Sequence, residues 1–368
     1  MKQQLSPLQA ALLIGNFIFA GTIISVQQVI VEISKQNSWL VVLLSYPIVL
    51  GMVMLICHNT EKLEKMKGLL DTGNKSWFHR VFVVILLMFF LFIFIRDFRS
   101  FNGFVSVILL PDTPIDILSV LTILTLIYIV LTGIEVIARI TVIHYFTVFI
   151  IVAALPILLM NEIDVRNIQP IGGMHSISEI LKSAYIFVPW MAETVIIVFL
   201  IIFVSPLKHI KKASIMGTSL SFFLLLVLIS MNISVLGVAV TSEATYPNIA
   251  LIQQINLTDF LDRLDLVIIV VWIPTMLCKL SLVLFAIQKL LNVLKGKDSD
   301  FSIVPLALFL GMTIHLFKSN IDSIEFSFFT WPIQGLLLEM ILIILFLLMK
   351  QKQIGLKGTS EKKKNVKA

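Results

Sequence analysis

The sequence predicts an all-α polytopic membrane protein of about ten transmembrane helices, built as two inverted five-helix repeats with the first and sixth helices broken. Composition, the spacing of apolar runs and the placement of basic residues predict it. Of 368 residues, 58% are hydrophobic and only 14% charged, with a mean hydropathy of +1.01. Soluble domains carry about 25% charged residues. A globule of this size cannot enclose so much apolar surface, so lipid must be its solvent.

A hydrocarbon core of about 30 Å takes about 20 apolar residues as helix. Such runs fall at 8–33, 38–57, 78–109, 115–134, 138–160, 180–204, 213–239, 265–292, 302–317 and 332–350. They do not alternate as barrel strands do. Turn signals separate several of them: "PDTP" at 111–114, "QPIGG" at 169–173 and "SPLK" at 205–208. The first run lacks a small-residue cleavage pattern and reads as an anchor, not a signal peptide. Residues 1–350 form one transmembrane domain, and 351–368 read as a basic, disordered cytoplasmic tail suited to anionic lipid.

With the N-terminus inside, 20 of the 28 Lys and Arg residues fall on the cytoplasmic side and five on the other. That bias places both termini in the cytoplasm. The net charge of +6 is then a topology signal and gives no support to nucleic-acid binding. Cys57 and Cys278 both lie in apolar runs, with no disulfide framework and no metal-ligand spacing. No phosphate-binding loop, HExxH, CxxC or Ser/His/Asp cluster is present, so no residues carry a catalytic reading, a metal or a cofactor.

An even number of helices with both ends inside suits five plus five, with a site between the halves. The first run contains "IGNFIFAGTIIS", with Gly15, Asn16, Gly21 and Thr22, and the sixth contains "FVPWMAE", with Pro189 near its centre. Gly relaxes the backbone and Pro removes a donor, so both helices have a physical reason to open. Charges inside spans are costly and call for a partner or a wet cavity. Glu193, one turn past Pro189, suits a ligand ammonium, a brace for opened backbone, or a packing bond to another helix. Lys279, deep in the eighth run, suits a pair with Glu193, a ligand carboxylate, or snorkelling to the headgroups.

Other polar residues have plainer readings. Arg96 and Asp97 are adjacent and predicted to point different ways, so no direct pair is expected between them. Phe89, Ile93 and Asp97 share one face at steps of four, the first two as apolar wall. Arg96 and Arg99 are expected near the outer surface, bracing loops or partner subunits. His144 and His315 read as interior histidines, and Glu339 needs a partner that the sequence does not name. "IALIQQINLTDFLDRLD" at 249–265 reads as an amphipathic surface helix.

Three stretches carry a family resemblance: "IRDFRSF…LLPDTP" at 95–114, "AETV" at 192–195, and "YPNIALIQ…LDRLDLVIIVVW" at 246–272. Over nearly the whole chain the sequence resembles the B subunit of bacterial spore germinant receptors, within the amino acid–polyamine–organocation (APC) transporter superfamily. The first helix departs from the family's usual Gly-Ala-Gly, keeping Gly21 within "AGTIISVQ", and Ala192 replaces the glycine before Glu193. The resemblance implies a LeuT-like fold in the spore inner membrane. It implies a small nutrient as ligand, with an amino acid the expected class, and an A subunit and a C lipoprotein as partners that trigger germination. The implied ligand contacts are Ala20, Gly21, Thr22, Phe89, Ile93, Trp190, Glu193, Lys279 and Val283. The resemblance adds a further alternative for Lys279, that it stands where sodium sits in ion-coupled relatives. The competing reading is a secondary active transporter, an amino acid permease moving a small solute by alternating access.

Overall fold

The structure is a computed structural model and describes residues 4–23, 26–72, 77–169, 174–255, 265–296 and 303–349. The expected tail at 351–368, most of "QPIGG", and residues 256–264 of the expected surface helix lie outside the described residues. Within them the chain is almost entirely helical, and the one β-type contact is an isolated bridge between Leu5 and Val204. Seven helices are long and apolar enough to cross a membrane, and three shorter apolar helices accompany them. Side chains such as Leu44, Phe146, Ile150 and Phe309 face outward as the lipid-facing belt.

The first span is two helices, α1 (Pro7–Thr22) and α2 (Val26–Ser34). Ser6 caps α1 in a reciprocal box with Gln9, and Pro7 occupies the first turn. A helix end leaves carbonyls without partners, and here several find one. The Thr22 hydroxyl donates to the Ile18 and Phe19 carbonyls at 3.0 Å each. Trp272 Nε1 donates to the Ala20 carbonyl at 3.2 Å, and the Asn248 side-chain amide donates to the Ile23 carbonyl. Close packing begins at the other end of α1. A Cβ on Gly217 would run into the Ala11 carbonyl, so only glycine lets the facing helix approach.

The chain continues through α3 (Ser38–Cys57), α4 (Thr60–Thr72), α5 (Trp77–Phe104), α6 (Ile115–Leu131) and α7 (Ile134–Leu158). The sixth span differs in detail from the sequence expectation. Its helix α8 (Met174–Met191) runs on past Pro189, and the change comes just after it. Residues Ala192–Ile196 tighten to a 3-10 turn before the short α9 (Ile197–Leu200). Proline removes one bond from the preceding turn, and the strain is taken up a few residues later. Then follow α10 (Ile210–Met231), a π-helical segment at Asn232–Leu236, α11 (Gly237–Glu243) and α12 (Pro247–Ile252). The chain ends in α13 (Asp265–Lys295), α14 (Ile303–Gly311), α15 (Asn320–Glu325) and α16 (Trp331–Leu348). The last span also begins earlier than its apolar run, because a π-helical segment at Phe326–Thr330 joins α15 to α16. Trp331 is thereby a buried mid-span residue, not a membrane-edge anchor.

Helices α1, α5, α13 and α16 and the 192–196 turn meet at the centre of the bundle. Both broken spans thus bring their irregular backbone to one place.

Candidate functional site

Four fully buried charges occupy that centre: Arg96 and Asp97 from α5, Glu193 from the 192–196 turn, and Lys279 from α13. They close a ring of alternating sign. Arg96 Nη2 lies 2.6 Å from Asp97 Oδ1 and 2.7 Å from Glu193 Oε1. Lys279 Nζ lies 2.7 Å from Glu193 Oε2 and 2.8 Å from Asp97 Oδ2. Arg96 Nε adds a second bond to Asp97 Oδ1 at 2.8 Å. Two cations face two carboxylates, so the ring is neutral as a whole. Desolvating isolated charges would be prohibitive, and mutual pairing at these distances offsets that penalty.

Aromatic faces complete the shell. The Arg96 guanidinium is sandwiched between Trp190, 3.8 Å to the ring centroid, and Trp331 at 4.4 Å. Lys279 Nζ stands 4.9 Å from the centroid of Phe17 on α1. Both contacts place a cation on the negative face of a ring. Gly21 closes the remaining side. A Cβ there would lie 2.5 Å from Lys279 Nζ and 3.6 Å from Arg96 Nη2, so the end of α1 must be bare at this position. Some polar atoms within the core are left over: Arg96 Nη1 and Trp190 Nε1 are buried without a hydrogen-bond partner among the described residues.

The residues singled out from sequence divide into three groups. Gly21, Trp190, Glu193 and Lys279 touch the ring directly. Ala20 and Thr22 lie on its α1 side, Ala20 bound through its carbonyl to Trp272 and Thr22 bonded back to its own helix. Phe89, Ile93 and Val283 are fully buried. Phe89 meets Trp331 at 6.4 Å between centroids, and Val283 lies one turn beyond Lys279.

Three expectations are corrected. Arg96 and Asp97 do pair, because the long guanidinium arm folds back along α5 to a carboxylate that points into the same buried centre. Arg96 is not near the outer surface but at the core of the bundle. Arg99 is buried with Asp322 of α15 within electrostatic reach. His315 is not interior: its side chain is 67% exposed and lies 3.5 Å from Asp116 at the start of α6. His144 is half-buried. Sequence reasoning missed Trp331 altogether.

A second polar cluster sits beyond the break in the first span. Asn232 Nδ2 donates to Gln27 Oε1 at 2.6 Å and to Asn248 Oδ1 at 2.9 Å, while Asn248 holds the Ile23 carbonyl. It fastens α2, the end of α10 and α12 around the open backbone.

A bundle of apolar helices whose two irregular spans meet at a charge-lined centre defines the class: a polytopic membrane protein with a LeuT-like fold. The chain belongs to the spore germination protein family, whose model matches residues 4–324. Similar proteins in Bacillus subtilis (strain 168) include the putative spore germination protein YfkT, 29% identical over 330 residues, spanning 88% of this chain and 90% of that protein. Spore germination protein KB from the same organism is 27% identical over 265 residues, spanning 69% of this chain and 70% of that one. Among solved structures, MHP1, a nucleobase-cation-symport-1 family transporter, in a closed conformation with bromovinylhydantoin bound, aligns with a TM-score of 0.56 at 15% identity. The alignment covers 93% of this chain and 78% of that chain. Its inward-facing conformation gives a TM-score of 0.51 at 16% identity, covering 96% and 79%. At such identities the likeness is one of fold.

Proposed function

We propose that this chain is the membrane-embedded B subunit of a spore nutrient germinant receptor, with its nutrient site at the charge ring. The observation that carries the reading is the neutral ring itself, placed where both broken spans open. A zwitterion such as an amino acid matches it in both signs. The ligand ammonium takes Glu193 or Asp97, and the ligand carboxylate takes Lys279. Ala20, Gly21 and Thr22 let the ligand approach backbone, and Phe89, Ile93, Trp190 and Val283 form the apolar wall. The ring then opens, and the change passes to an A subunit and a C lipoprotein in the spore inner membrane. Lys279 supplies the fixed positive charge that ion-coupled relatives take from sodium, so binding needs no metal, and no step is enzymatic.

The transporter-like fold supports a second reading, in which the same site moves a small solute by alternating access. Two measurements separate them. Spores carrying Glu193→Gln are challenged with a panel of single amino acids and scored for loss of refractility, where the receptor reading expects no response to a nutrient that wild type answers. Purified protein in liposomes is tested for uptake of the same labelled amino acid. Sustained uptake without partner subunits would replace the receptor reading with the transporter one.

A further inference from the structure

Among the described residues two buried charges stand outside the ring, Arg99 on α5 and Glu339 on α16, and Glu339 is the more deeply enclosed. Glu339, in the middle of α16, is fully buried, and both its carboxyl oxygens lack a hydrogen-bond partner among the described residues. The charged groups within electrostatic reach of it are Glu193 and Arg96. The elements packed on α16 are α5, α8, α3, the 192–196 turn and the 326–330 segment. Of these, α5 presents Arg96, with Asp97 and Lys279 behind it in the ring, and the turn presents Glu193. Neither α3 nor 326–330 carries a charged residue, and the Glu179 and Lys182 of α8 lie about two turns or more before Pro189. The ring is already neutral without Glu339. An ionised Glu339 would be a third carboxylate beside Glu193, desolvated and with no donor of its own. Arg96 Nη1 is likewise a buried donor with no acceptor among the described residues.

We propose that Glu339 is a proton-holding site and the reserve counter-ion of Arg96. While the ring is closed, Glu339 is a neutral acid. When Arg96 loses one of its two carboxylates, the Glu339 O–H bond breaks and the proton leaves to bulk water. The carboxylate that remains takes the Nη1 side of Arg96. One anion is withdrawn and one created, so the centre stays at two cations and two carboxylates, and one proton is released. Opening the ring thereby carries a proton stoichiometry that the ring's own four residues do not require.

The test needs no nutrient, so it can fail while the receptor reading stands, and the reverse. Infrared spectra of the purified full chain in H2O and D2O at neutral pH are expected to contain the carbonyl stretch of a protonated, buried carboxylic acid, which is lost in Glu339→Gln. In Glu193→Gln, where Glu339 is untouched, the same band is expected to vanish because Glu339 has ionised. Asp97→Asn removes the other partner of Arg96 and serves as a second variant if Glu193→Gln does not fold. A wild-type protein without the band overturns the proposal whatever the variants do. A band that persists in a folded Glu193→Gln or Asp97→Asn also overturns it.

Discussion

Lys279 Nζ stands 2.7 Å from Glu193 Oε2, joining the eighth span to the irregular turn of the sixth at a point where neither group meets solvent. Removing one partner of such a buried network typically costs about 3–5 kcal/mol, since the other charge is stranded. Lys279→Met is expected to destabilise the detergent-purified protein by an amount in that range, read as a lowered thermal midpoint. The double change with Glu193→Gln leaves Arg96 and Asp97 as a balanced pair, so its loss should fall short of the sum of the single losses by about 0.5–3 kcal/mol. Additive losses would mean that the two residues do not act as a pair.

Gly21 sets how near α1 comes to that pair. In Gly21→Ala, the new methyl group displaces Lys279 Nζ, with a destabilisation of about 1–3 kcal/mol expected for overpacking. The penalty should shrink in a Lys279→Met background, where the clashing ammonium is gone. Gly21→Leu, bulkier still, is expected to abolish the nutrient response, with its level in the membrane measured alongside. A responding Gly21→Leu would mean that the ligand does not approach α1 here.

Arg96→Lys keeps the charge but gives up the flat stack between Trp190 and Trp331 and the second bond to Asp97. A loss of about 2 kcal/mol is expected from these contacts together. Near-ultraviolet circular dichroism of the two indoles should change with it. An unaltered spectrum and midpoint would show that the aromatic sandwich contributes nothing.

Asn248→Leu removes the donor on the Ile23 carbonyl and one arm of the Asn232 cluster. Leaving buried polar groups unsatisfied costs about 1–3 kcal/mol. Because the loss is local to the break, hydrogen exchange is expected to accelerate in peptides covering α2 while those from α7 stay unchanged. Uniform acceleration would instead indicate global destabilisation.

The basic-residue bias predicts that the C-terminus and the loop between α9 and α10 lie on the cytoplasmic side. Tags at either position are expected to resist a membrane-impermeant reagent in intact protoplasts. Labelling of either one overturns this orientation.

The fold was legible because its signals are long. Apolar runs of membrane length and the Gly and Pro in the first and sixth spans are properties of contiguous sequence. The site was only half legible. Glu193 and Lys279 stand out as single charges in greasy runs, and the physics of burial demands that each be answered. Arg96 and Asp97 were equally visible but misread, since adjacent positions on a helix diverge by about 100°. That rule ignores the reach of an arginine arm drawn inward by two counter-charges. Trp331 was hidden because the polar stretch before it suggested a span beginning at 332. A π-helical segment carries the helix through that stretch, and nothing in the residues announces it. The displaced break after Pro189 has the same origin: a missing donor says that a helix will loosen, not at which residue.

Helix α10 touches the first span on both sides of its break. Near its start, Gly217 lies against the Ala11 carbonyl and Ser221 Oγ donates to the Gly15 carbonyl at 2.7 Å. Fifteen residues later, about 22 Å along the axis, Asn232 holds Gln27. α10 is therefore a splint across the gap, and α1 and α2 cannot swing independently while it stays straight. The strain of any relative movement falls where its helical winding changes, at the Asn232–Leu236 segment and at Gly237, whose φ is 74°. The Ser234 carbonyl in that segment accepts from the Asp164 backbone N–H and from Asn167 Nδ2 in the connection between the fifth and sixth spans. A displacement of that segment would therefore also move the surface connection that the Ser234 carbonyl holds.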